Sequence, residues 1–68
     1  MSIHARSTQY RGYEIIAAGQ ACDIYLRGAS VEHFAHDYHC LDITPDLVLA
    51  MLIGEACERI DQRVADRW

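Results

Sequence analysis

Three histidines and a cysteine fall within eight residues in the stretch HFAHDYHC, as His33, His36, His39 and Cys40. Imidazole and thiolate are the ligands zinc takes in tetrahedral sites, and Asp37 between them adds a carboxylate. Spacing decides whether these groups can meet. Side chains three residues apart share one side of a helix, whereas on a strand His33 and His39 point to one face and His36 to the other. Gly28-Ala29-Ser30 just upstream has the composition of a hairpin turn, and no helix cap precedes the run. The segment is therefore expected as a strand with ordinary histidines and no cofactor. A zinc site built from His33, His36, His39 and Cys40 is the alternative.

Nucleophilic catalysis is the second chemistry these types could support, with Cys40 beside His39 or Cys22 across a sheet from His36. Such a cysteine needs a base within hydrogen-bond reach and a cleft that holds substrate. A chain of 68 residues has little room for a cleft. Cys22, Cys40 and Cys57 each lie in the apolar phase of their own segment, where a thiol behaves as a small hydrophobe. Three cysteines without a Cys-x-x-Cys pair read as reduced thiols and not as a disulfide framework. A non-enzymatic protein is expected.

The elements that must position these residues follow from hydrophobic period. Residues 1–9 are polar and aperiodic, which predicts a loose tail, and residues 10–68 form one domain. Tyr13, Ile15 and Ala17 alternate with their neighbours up to Gly19-Gln20, a first strand and a turn. Cys22, Ile24 and Leu26 alternate with Asp23, Tyr25 and Arg27 in a second. A third strand is read from Val31 to Ile43, with Phe34, His36, Tyr38 and Cys40 in one phase and an irregularity near Asp37. At Thr44-Pro45-Asp46 the period changes: a capping hydroxyl, a proline at the first helical position and an acid in the first turn open a helix that runs to about Asp66. The fold class is α+β, a three-stranded antiparallel sheet covered by one C-terminal helix in two layers.

On that helix Leu49, Leu52, Ile53, Ala56, Cys57, Ile60 and Val64 share the stripe that faces the sheet. Leu47, Val48 and Met51 lie on the other side, ~160° to 260° around from Leu49, where a two-layer fold has nothing to cover them. Apolar residues there call for a second subunit or a different protein. Gly54 beside them would admit another backbone.

Net charge is −4, and its distribution is uneven. Six acids, Glu32, Asp37, Asp42, Asp46, Glu55 and Glu58, lie between Gly28 and Glu58, and all six arginines lie outside that span. Phosphate backbones are bound by clustered cations, so direct nucleic-acid binding is disfavoured and a basic protein surface is the better partner. The longest apolar run, Leu47 to Ile53, is too short to span a bilayer, and the N-terminal residues lack the apolar run of a signal peptide. A cytoplasmic protein is expected.

At YRGYEI, with a strand pair behind it and a closing helix that ends ACERID, the chain resembles small uncharacterised proteins of proteobacteria and their phages, which begin with an aromatic-x-Gly-aromatic strand. GYEIIAAGQ followed by a proline-started helix is similar to some type I anti-CRISPR inhibitors, small acidic phage proteins that bind CRISPR effector complexes. The resemblance implies a non-enzymatic binder whose acidic side chains meet basic surfaces. No residue-level motif carries over, and the histidine-rich third strand departs from the pattern. The expected function is thus a protein-binding module or homodimer, possessing Leu47, Val48 and Met51 as apolar anchors and the six acids as their surround.

Overall fold

A computed structural model describes residues 5–36 and 44–66. Four strands precede one helix: β1 (Ala5–Tyr10), β2 (Tyr13–Ala18), β3 (Ala21–Leu26), β4 (Ala29–Ala35) and α1 (Pro45–Ala65). The strands form one antiparallel sheet in the order β1-β2-β3-β4, and α1 lies across one face. The α+β class with a C-terminal helix is as expected from the sequence. The strand count is not.

The fourth strand is β1, which occupies most of what the sequence presents as a tail. Arg11 and Gly12 both hold positive φ, 52° and 84°, which makes a two-residue turn that folds Tyr10 back onto Tyr13. Arg27 and Gly28 repeat the device at 54° and 83° between β3 and β4. At an edge beyond most of the helix's cover, β1 needs no apolar alternation, and residues 5–9 are all exposed. A polar aperiodic stretch can therefore be a strand when its neighbour supplies the ladder.

The last strand also differs from expectation. β4 ends at Ala35, and residues 37–43, with the expected bulge at Asp37, lie outside the described residues. An irregularity does occur, at Val31: Ile24 pairs with Glu32 and Tyr25 with Ser30, so Val31 is the extra residue. From Glu32 onward the strand then alternates, Glu32 and Phe34 toward the helix and His33 away from it.

Tyr13, Ile15, Ala17, Cys22, Ile24 and Phe34 from the sheet meet Val48, Leu49, Leu52, Ala56 and Ile60 from α1 in the core. Each fully buried Ile or Leu contributes about 1.5–3 kcal/mol relative to exposure. Thr44 caps the helix as its sequence predicts, its hydroxyl accepting from the Leu47 N–H at 3.2 Å. No helix among the described residues is long and apolar enough to cross a membrane.

Candidate docking surface

The side of α1 turned from the sheet carries Leu47, 47% exposed, and Met51, 41% exposed. One helical turn separates them, so the two side chains stand together. Gly54 follows on the same side, and a Cβ built there would meet nothing within 4 Å. Glycine in a helix interior costs about 1 kcal/mol relative to alanine. Nothing in the packing of the described residues requires that cost, which leaves a notch beside two exposed apolar side chains. Asp46 at the first turn and Glu58 one turn beyond Gly54 are exposed and frame the patch.

Val48, expected as a third anchor, is 6% exposed and belongs to the core. The buried arc of α1 is centred between Leu52 and Ala56, and Val48 lies only ~40° from Leu52 on a helix of 3.6 residues per turn. A wheel centred on Leu49 places it wrongly outside.

Among the four of the six acids that lie within the described residues, Glu32 and Glu55 are engaged by the chain itself. Glu55 accepts from Arg59 Nε at 2.9 Å and Nη2 at 2.7 Å, and its other oxygen lies 2.6 Å from His36 Nε2. Arg59 also donates to Glu32, and Arg63 Nε reaches the second oxygen of Glu32 at 3.2 Å. Arg63 Nη2 donates to the Val31 carbonyl at 2.7 Å, and the Arg59 guanidinium sits 4.2 Å over the Phe34 ring. The result is a continuous ionic chain, His36-Glu55-Arg59-Glu32-Arg63, that ties β4 to α1. Hydrogen bonds from Arg59, then from Arg63, hold the Glu32 carboxyl below its usual range; Arg59, then His36, do so for Glu55; and the two carboxylates raise the Arg59 pKa. Arg59 and Arg63 also wall an open groove of about 670 Å³ floored by Tyr13, Leu26 and Val31. Both cations there already hold Glu32.

The signal for this chain was present but unread: Glu32 is in phase with Phe34, so it faces the helix, and Arg59 and Arg63 are one turn apart on the flank that meets it. Of the other acids, Asp46 and Glu58 remain beside the exposed patch, while Asp37 and Asp42 lie outside the described residues.

The histidine run divides as a strand divides it. His33 Nδ1 lies 2.6 Å from Asp23 on the outer face, and His36 turns inward to Glu55. These two do not converge, and no group of three or more ligand side chains comes together among the described residues. His39 and Cys40 lie outside them. Burial, with the Asp23 and Glu55 carboxylates nearby, pushes the Cys22 thiol up to about 11, and burial beside Asp61 raises Cys57. Neither is a ready thiolate at neutral pH.

No protein-family model matches the chain, and neither a curated protein nor a solved structure is detectably similar to it. The arrangement of its own side chains is what speaks to its role.

Proposed function

We propose that this is a non-enzymatic protein-binding module that docks through the exposed side of α1. The observation that carries the reading is the conjunction of Leu47 and Met51, both exposed, with the open notch at Gly54. Leu47 and Met51 insert into an apolar depression, the notch admits the partner's backbone, and Asp46 and Glu58 meet cations at its rim. Rim charges of this kind set encounter rate and orientation, and buried apolar anchors set residence. The partner is therefore a protein whose apolar cleft carries basic residues around it. Glu32 and Glu55 support the surface indirectly, since the bonds of Glu32 to Arg59 and Arg63 and the contact of Glu55 with His36 fix α1 on the sheet.

Quantitative affinity purification from native cells tests this, with Met51→Glu compared against the wild type and against Glu14→Lys on the opposite face. Proteins retained by wild type and Glu14→Lys but lost with Met51→Glu are the expected outcome, with far-ultraviolet circular dichroism unchanged in both variants. An identical set from all three, or loss of the folded signal in Met51→Glu, would sink the reading.

A further inference from the structure

The groove near the C-terminal end of α1 is shaped by a departure from regular structure. Val31, the extra residue of the β4 bulge, lines it beside Glu32, so two successive residues of one strand serve one face. Bulges re-aim side chains in this way beside functional sites. Arg63 is fixed in the wall by Glu32 and by the Val31 carbonyl, and Leu26 and Val31, packed against the core, form part of the floor. At about 670 Å³ the space falls within the ~300–1,000 Å³ of small-molecule sites.

Two polar groups in this groove are unanswered. Tyr13 is 5% exposed, yet its hydroxyl bonds nothing among the described residues and is not sealed from solvent. A tyrosine this deep usually finds a partner for its O–H. Tyr10, its cross-strand neighbour, gives its own to Asp61. Because Tyr13 lines the groove, the opening left to its hydroxyl is the groove itself. Asp66 is the second group: exposed at the C-cap of α1, it lines the same groove and meets no cation among the described residues.

Charge decides what these groups fit. Glu32 and Glu55 balance Arg59 and Arg63, and both cations are bonded within the fold. An organic anion would have to take an arginine from Glu32. The Asp66 carboxylate is left uncompensated, at the end of the helix where the backbone dipole is negative. A cation is the complement, and the apolar floor suits a hydrocarbon or aromatic body behind it.

We propose that the groove is a binding site for small amphipathic amines: a primary ammonium donates to the Tyr13 hydroxyl oxygen and the Asp66 carboxylate, while an apolar or aromatic body lies on Leu26, Val31 and the Tyr13 ring. An ammonium carries three donors and no acceptor, so one head group serves both oxygens, and Gln62 in the same lining offers an amide oxygen to the third N–H. The site lies toward the other end of α1 from Leu47 and Met51, so this reading and the docking surface fail independently.

Titration of isotope-labelled protein with phenethylamine, followed by amide chemical shifts, tests the site against two controls of similar size, phenethyl alcohol and phenylpropionate. Saturable shifts should centre on Tyr13, Leu26, Val31, Arg63 and Asp66, and the amine should bind about threefold or more tighter than either control. Asp66→Asn should weaken the amine by about threefold to fivefold, a loss that shrinks with added salt, and should leave the alcohol unchanged. Tyr13→Phe keeps the ring and should weaken the amine by about threefold or more, the worth of one hydrogen bond, with circular dichroism unchanged. If either variant does not fold, the ranking of the three probes on the wild type decides. Phenethylamine without saturable shifts through the millimolar range, shifts centred on Leu47 and Met51, a control that binds as tightly as the amine, or either folded variant binding the amine as the wild type does would overturn the proposal.

Discussion

Glu32 stands on the inner side of β4 with Arg59 on one oxygen and Arg63 on the other. Because folding lowers its pKa and that of Glu55, the native state binds their protons more weakly than the unfolded chain does. The sign follows: their contribution is complete above the unfolded value of 4.5 and is lost as pH falls below it through the lowered folded values. Glu32→Gln should cost on the order of 1 kcal/mol near neutral pH, as a partly exposed pair does, and should flatten the loss of stability on the acid side. Urea titrations at pH 7 and in acid check both; equal costs at the two would show that the charge of Glu32 contributes nothing. How residues were legible from sequence varied with their geometry. Leu47 and Met51 fall clearly outside the helical stripe, but Val48 sits at its border, and only the true centre of the buried arc decides it. Glu32 was legible as an acid and not as a bonded one, because its partners lie 27 and 31 residues away.

At the scale of elements, turns explain what the sequence concealed. Strands β2 and β3 were visible because their inner residues alternate against the helix. β1 was hidden by polar composition and by an Arg-Gly turn, since asparagine or glycine is the usual first residue where φ is positive. Arginine in that conformation costs roughly 1 kcal/mol. Arg27→Asn should therefore raise stability by about 0.5–1 kcal/mol, read as a higher thermal midpoint, because Asn tolerates the left-handed region that Arg27 occupies at φ 54°. A lower midpoint would mean that Arg27 makes a contribution its geometry does not reveal. The helix was the most legible element, with its cap, proline and first-turn acid all in place, and it holds the opposite case. Gly54→Ala should stabilise the monomer by up to about 1 kcal/mol, since the added methyl meets open space. If the notch serves docking, the same methyl weakens partner binding. A variant that is both more stable and equally well bound would reduce Gly54 to tolerated cost.

For the whole molecule, size sets how finely core and surface can be separated. The two-layer architecture was legible from the change of period at Thr44-Pro45, whereas strand order becomes compulsory only once all three links are recognised as two-residue turns. A domain of 68 residues has a total stability of about 3–10 kcal/mol by the usual per-residue range. Among the described residues eleven form its core, and Leu52, fully buried, lies at the middle of the contact between helix and sheet. Leu52→Ala should cost about 2–5 kcal/mol, enough to leave a substantial unfolded fraction at 25 °C. Met51→Glu, one residue away, should shift the urea midpoint little, because its side chain is already in water. The adjacent pair therefore maps the boundary between what holds the fold and what is left for a partner. Comparable losses from both substitutions would place Met51 in the core and remove the apolar anchor on which docking depends. A large loss for Leu52→Ala alone leaves two exposed apolar side chains that stability does not explain.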